Sequence, residues 1–157
     1  MTDYQLLREQ VKAFAESERD FVPLLANVSA LLFDALERVN WAGFYLLDNG
    51  SLLLGPFQGK PACIRIEIGK GVCGTAARED RILRVADVHA FPGHIACDAA
   101  SASEIVVPIH SGGRVVGVLD IDSPEKERFH AEDAAGLQLL AEEIEQHADF
   151  SRLRLQR

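Results

Sequence analysis

WAGFYLLDNGSLLLGPF, residues 41–57, contains two apolar runs separated by the DNG sequence of residues 48–50. An Asn-Gly pair supplies the positive φ angles that a tight turn between two antiparallel strands requires. The stretch therefore predicts a β-hairpin, with strands over residues 41–47 and 51–57.

The sequence shows helical periodicity both before and after the predicted strands. Apolar residues recur at three- and four-residue steps over residues 4–15, and again from Pro23 to just before Asn40. Asp20 is placed to cap the second of these helices, and proline is tolerated in a first helical turn. A last amphipathic helix is predicted over residues 131–148.

The middle of the chain predicts further strands and one short helix. Residues 63–68 alternate strictly, with Ile64, Ile66 and Ile68 expected on one face and Cys63, Arg65 and Glu67 on the other. A Gly-rich break then leads into a short helix over residues 72–79 and a strand over 82–85. Two more strands, 104–109 and 115–121, flank a Ser-Gly-Gly turn.

This order of elements predicts one α+β domain covering residues 1–157. Residues 1–39 supply N-terminal helices, residues 40–122 supply an antiparallel sheet with a functional loop at 87–103, and residues 131–148 supply the last helix. We expect the helices to pack on one face of the sheet and a ligand pocket to lie on the other.

Composition and charge exclude several classes of function. The net charge of -8 and the pI near 5.1 argue against a nucleic-acid partner, since such binding depends on clustered Lys and Arg. No apolar run approaches the roughly 18 residues of a membrane span, and residues 1–4 do not resemble the start of a signal peptide. We expect no membrane partner and a cytoplasmic location.

Cys63, Cys73 and Cys97 form an odd set of cysteines, which cannot be a permanent disulfide framework in a reducing compartment. Catalytic thiols, metal ligands and core residues all remain possible on this basis. Cys97 lies in the loop at 87–103, where a thiol is more exposed than in a regular element. Cys73 falls in the first turn of a predicted helix, a position that eases thiol ionisation.

A zinc site is the competing explanation for the cysteines, since His89, His94 and His110 are also available. Structural zinc sites use closely spaced pairs such as Cys-x-x-Cys, and this sequence contains no Cys-x-x-Cys or His-x-x-x-His pair. No metal site is therefore predicted.

Glu104, Asp120 and Asp122 are the second unusual group. Alternation places Asp120 and Asp122 on one face of their strand and Leu119 and Ile121 on the other, which predicts a carboxylate patch. Solvated acidic residues at strand ends are the simpler alternative. On the first strand, Trp41 and Tyr45 share a face, where packing and binding are both open to them.

The whole order of elements, ending in FHAEDAAGL at residues 129–137, resembles a GAF domain. Four motifs resemble more narrowly the free methionine-R-sulfoxide reductases: NWAGFYL at 40–46, GVCGTA at 71–76, HIACD at 94–98 and LDIDS at 119–123. The cysteines also have the spacing of that family.

The resemblance implies Cys97 as the catalytic thiol and Cys63 as the resolving thiol, with Cys73 as a second possible partner. It implies a substrate pocket whose expected residues are Trp41, Tyr45, Ile95, Ala96, Glu104, Asp120 and Asp122. Free methionine-(R)-sulfoxide is the implied substrate and thioredoxin the implied reductant, with no cofactor and a homodimeric assembly.

Chemistry adds one hypothesis and one alternative. Attack of a thiolate on a sulfoxide needs a proton for the leaving oxygen, and crowded carboxylates favour protonation of one of them. We expect Asp122 to be this acid. The alternative is a GAF domain that senses a small ligand without catalysis, since a fold alone does not decide function.

Overall fold

The computed structural model describes residues 1–94 and 100–155. Its elements are α1 (Tyr4–Ser17), α2 (Phe21–Ala35), β1 (Trp41–Asp48), β2 (Ser51–Gly59), β3 (Arg65–Glu67), α3 (Gly71–Glu79), β4 (Leu83–Val85), a 3₁₀ turn (Val88–Ala90), β5 (Ser103–Ser111), β6 (Arg114–Ser123) and α4 (Ala131–His147). None of the helices in these two described stretches is long and apolar enough to cross a bilayer.

The six strands form one antiparallel sheet with the order β3-β2-β1-β6-β5-β4. The predicted hairpin between β1 and β2 is confirmed, with φ angles of 52° at Asn49 and 85° at Gly50. Because β1 also pairs with β6, the start of the first strand lies beside the end of the last one. This pairing brings two distant motifs of the sequence into contact.

Each face of the sheet carries its own apolar cluster. On one face α1, α2 and α4 cover the larger cluster, which includes Leu25, Val28, Leu32, Phe44, Ile105, Leu119, Ile121, Leu137 and Leu140. On the other face α3 covers a smaller cluster, which includes Trp41, Tyr45, Ile66, Val72, Cys73 and Val118. The α+β fold class is confirmed, and the short helix α3 is the one that lies on the pocket face.

The strand predicted over residues 63–68 is wrong at both ends, since β3 covers only Arg65–Glu67. Ile66 is buried as expected, but the Ile64 side chain is 71% exposed. The last ladder contact is the Leu54 N–H bond to the Ile64 carbonyl. Beyond it β2 has a register shift and then Pro56, which has no N–H to donate, so pairing cannot continue toward Cys63.

The end of α2 also differs from the sequence pattern, which continues the helix almost to Asn40. The helix ends at Ala35, since the backbone is extended at Leu36 and adopts a φ of 57° at Arg38. The helix begins at Phe21, two residues before the predicted start at Pro23. The predicted cap is confirmed, because the Asp20 carboxylate accepts a hydrogen bond from the Val22 N–H. Apolar periodicity therefore located the helix but not its last turn.

Candidate active site

The two carboxylates of β6 lie on the pocket face of the sheet, as alternation predicts. Glu104 on β5 is the direct cross-strand partner of Asp122, and Asp120 is paired with Val106 one step further along. Glu104 is 8% exposed and Asp120 is 5% exposed. The acidic side chains are therefore a buried group rather than a solvated strand end.

Trp41 joins this group through the pairing of β1 with β6, which sets it opposite Asp122. Its ring stacks on Phe57 and Tyr45, at centroid separations of 5.1 and 6.0 Å. Its Nε1–H donates to the Lys60 carbonyl at 3.1 Å. These contacts fix the plane of the indole beside the carboxylates.

A small cavity of about 50 Å³ lies between the sheet, α3 and the segments around residues 62, 94 and 101. Its lining consists of Trp41, Tyr45, Ala62, Ile66, Lys70, Gly71, Val72, Cys73, His94, Ser101, Glu104, Asp120 and Asp122. Five of the predicted pocket residues are among them. Ile95 and Ala96, the other two, lie outside the described residues.

Sequence reasoning missed the contribution of the α3 N-terminus, where Lys70, Gly71 and Val72 line the cavity. The available signal was the Gly-rich break before the helix. Gly74 belongs to the same turn, and a Cβ there would collide with the Glu67 carbonyl oxygen. The glycine allows α3 to lie close against β3, and so places the helix start over the pocket.

The three cysteines have different environments. Cys73 is a buried free thiol, and its Sγ donates to Oε2 of Glu104 at 3.8 Å. Cys63 is half-buried and disulfide-bonded, and its backbone carbonyl accepts a hydrogen bond from the Tyr45 hydroxyl at 2.9 Å. It packs against the smaller apolar cluster, so the expectation that it shares a polar face with Arg65 and Glu67 is wrong. Cys97 lies outside the described residues.

Burial and mutual repulsion control protonation in the pocket. Burial, followed by the charge of the neighbouring carboxylates, raises the pKa values of Glu104 and Asp120 well above their ordinary range. The same causes raise the pKa of Cys73, so the expectation that its helix position eases ionisation is wrong. The effect of the helix dipole on the thiol is smaller than the combined effect of burial and the neighbouring carboxylates. At the pocket edge, burial and then His89 lower the pKa of His94.

Comparison with known proteins gives the family of the chain. The GAF domain family model matches residues 10–147. The free methionine-R-sulfoxide reductase of Escherichia coli is 52% identical over 142 residues, which cover 90% of this chain and 86% of that protein. This chain belongs to the free methionine-R-sulfoxide reductase family.

Solved structures of free methionine-R-sulfoxide reductases agree with this placement. The fRMsr of Staphylococcus aureus in its reduced form superposes with a TM-score of 0.92 at 52% identity, covering 95% of this chain and 97% of that one. The enzyme of Neisseria meningitidis in complex with its substrate superposes with a TM-score of 0.89 at 44% identity, covering 92% of this chain and 87% of that one. The family is one of oxidoreductases that act on sulfur.

Proposed function

We propose that this protein reduces free L-methionine-(R)-sulfoxide to methionine, with Cys97 as the attacking thiol. The observation that carries the proposal is the cavity where Trp41 meets Glu104, Asp120 and Asp122, in a chain of this family. His94 and Ser101, three residues before and four residues after Cys97, both line that cavity. The sequence position of Cys97 therefore fits an attacking role.

The reaction begins with attack of the Cys97 thiolate on the sulfoxide sulfur. The sulfoxide oxygen takes up one proton, its bond to the methionine sulfur breaks as it is transferred to the Cys97 sulfur, and methionine leaves reduced. Cys97 thereby becomes a sulfenic acid and is oxidised by two electrons. The resolving thiol then attacks the sulfenic sulfur, which releases water and forms a disulfide. An external dithiol reduces that disulfide and returns Cys97 to its thiol state.

Cys63 is the resolving thiol in this proposal. It is the residue that already takes part in a disulfide, whereas Cys73 is free. Attack on the sulfenic acid also needs a nucleophilic thiolate, and burial beside carboxylates raises the pKa of Cys73. Cys73 is therefore the poorer nucleophile, and it remains only the second candidate for this step.

The polar groups of the cavity suit a free amino acid. Its ammonium group matches the acidic patch of Glu104, Asp120 and Asp122, which no peptide-bound methionine could use. Its carboxylate matches the start of α3, where Lys70, Gly71 and Val72 line the cavity and a helix N-terminus favours an anion. The sulfoxide methyl would then pack on the Trp41 ring.

Asp122 is the proposed proton donor. It stands between Trp41 and Glu104 across the strands, and it is more exposed to the cavity than the buried Glu104 and Asp120. Those two carboxyls, whose pKa values are raised, keep protons within reach of Asp122. A single solvated carboxyl would be ionised at neutral pH and could not donate a proton. Neighbouring buried carboxyls with raised pKa values keep protons and can pass one on.

The remaining parts of the proposal follow from the family and the chemistry. Thioredoxin is the proposed dithiol reductant, and the cytoplasm, which supplies it, is the proposed location. A homodimer is the proposed assembly, which light scattering on the purified chain will test.

A coupled assay tests the function directly. NADPH oxidation in the presence of thioredoxin and its reductase should depend on free methionine-(R)-sulfoxide and not on the S epimer. Cys97→Ser should abolish it, while Cys63→Ser should release about one methionine per chain and then stop. Calorimetric binding of a small ligand with no NADPH consumption from either epimer would instead favour a sensor.

A further inference from the structure

Cys73, Glu104 and Asp120 come from three different elements and meet at the base of the cavity. The Cys73 thiol, one Glu104 oxygen and one Asp120 oxygen all lie within 4.8 Å of one another. The residues are 5%, 8% and 5% exposed, so the group is almost dry. No motif in the sequence reveals this group, since α3, β5 and β6 each contribute one residue.

One oxygen of this group has no partner. Oδ1 of Asp120 is buried and makes no hydrogen bond within residues 1–94 and 100–155. A buried carboxylate oxygen left unpaired is costly, so it calls for a proton, a ligand or a cation. Because Asp120 lines the cavity, whatever satisfies that oxygen can enter through it.

We propose that Cys73, Glu104 and Asp120 bind one zinc ion at the base of the cavity. Zinc accepts mixed sulfur and oxygen ligands in a tetrahedron, and a site with three protein ligands leaves the fourth position open. Bond lengths of about 2.3 Å to sulfur and 2.1 Å to oxygen place tetrahedral ligand atoms roughly 3.6 Å apart. The Cys73 sulfur is already 3.8 Å from the Glu104 oxygen.

The choice of zinc follows from the ligands. A thiolate excludes magnesium and calcium, which prefer all-oxygen sites. Copper(I) selects soft thiolate and thioether ligands, and two of the three ligands here are carboxylates. Binding displaces the Cys73 proton and any carboxyl proton into solvent, and a doubly charged cation offsets the repulsion among the acidic groups.

Occupation of the site has a functional consequence that rests on the proposed function. The carboxylates that would hold the zinc are those proposed to bind the substrate ammonium. Zinc and methionine sulfoxide should therefore exclude each other, and micromolar zinc should inhibit the reductase competitively. Excess chelator should restore the full rate.

Cobalt(II) serves as the spectroscopic probe for zinc. In the full-length Cys63→Ser/Cys97→Ser variant Cys73 is the remaining thiol, so a sulfur-to-cobalt charge-transfer band reports on this residue alone. We expect a band that saturates at one cobalt per chain and is displaced by zinc. Failure to observe it overturns the proposal, whatever the outcome of the activity assay.

Substitutions of the other ligands complete the test. Glu104→Gln and Asp120→Asn, each in the same double-serine background, should weaken cobalt binding at least tenfold, with circular dichroism confirming the fold. His89→Gln, outside the cavity, should leave binding unchanged. Unaltered affinity in both carboxylate variants, or a loss in His89→Gln equal to theirs, would place the metal elsewhere and refute the assignment.

Discussion

The Tyr45 hydroxyl donates a hydrogen bond to the backbone carbonyl of Cys63 at 2.9 Å. This bond links β1 to the segment before β3, which has no regular structure of its own. It is part-buried, and removing one typically costs about 1 kcal/mol. The position of the Cys63 backbone therefore depends on a side chain at the centre of the sheet.

Tyr45→Phe should slow formation of the disulfide while leaving the first release of methionine unchanged. The variant keeps the ring that stacks on Trp41 but loses the bond to the Cys63 carbonyl. A looser Cys63 meets the sulfenic acid less often, so we expect a roughly fivefold slower resolving step. Rapid-quench measurement of methionine against thiol loss separates the two steps.

Tyr4→Phe is the matched control for this substitution. Tyr4 also buries a ring and donates its hydroxyl, in this case to Asp133, on the opposite face of the sheet. It should reduce stability without altering either kinetic step. Equally slow disulfide formation in the two variants would mean that the hydrogen bond from Tyr45 to the Cys63 carbonyl has no specific role.

Asp122→Asn should lower kcat far more than it changes KM. The amide keeps the size of the side chain but cannot deliver a proton to the sulfoxide oxygen, and loss of general acid catalysis typically costs roughly 100-fold or more. Steady-state kinetics with methionine-(R)-sulfoxide will measure both constants. Glu67→Gln, an exposed carboxylate on β3, supplies the control and should behave as the parent enzyme.

The comparison between Asp122→Asn, Asp120→Asn and Glu104→Gln decides which carboxyl is the donor. If the Asp122 variant retains normal turnover while another loses it, the proton comes from that other residue. A rise in KM alone in all three would assign the patch to ammonium binding.

Most of the sheet was predictable from the sequence because its signals are local. Asn49 and Gly50 fix the hairpin, and strict alternation fixes the direction of Asp120 and Asp122. The carboxylate patch could be predicted because both of these residues lie on one strand. The burial of the patch could not be predicted, since it depends on the packing of α3 over β5 and β6.

The errors have a common physical origin in pairing between distant segments. Ile64 follows the alternation of a strand, but the ladder stops there because of the irregularity in β2. Cys73 occupies a helix position that favours ionisation, but burial and then the charges of Asp120 and Glu104, on other elements, raise its pKa. Neither neighbour lies within the sequence window in which the pattern was detected.

Stability should depend on pH through His110, which links the end of α3 to α4. Its ring contacts Asp80 and Glu145, each at 2.6 Å. Burial alone would lower its pKa, but the two carboxylates outweigh burial and raise it. The protonated ring therefore stabilises the fold below about pH 6.5, and this contribution disappears as the pH rises through the higher folded value.

His110→Asn should remove that part of the pH dependence. Urea unfolding at pH 5.5 and at pH 9 should show a difference between parent and variant of at most about 1 kcal/mol, since the site is partly solvated. The difference should be present at the lower pH and nearly absent at the higher one. An equal loss at both values would assign the effect to packing instead of charge.

Gly136→Ala should destabilise the docking of α1 on α4 by about 1–3 kcal/mol, as overpacked sites do. A Cβ at position 136 would overlap the Tyr4 ring, which the Asp133 carboxylate holds in place through the tyrosine hydroxyl at 2.6 Å. Denaturant unfolding measures the loss. Since alanine is otherwise favoured in a helix by about 1 kcal/mol, the sign of the effect reports the clash. In a Tyr4→Ala background the same substitution should become neutral or stabilising, and a persistent loss there would exclude the ring as its cause.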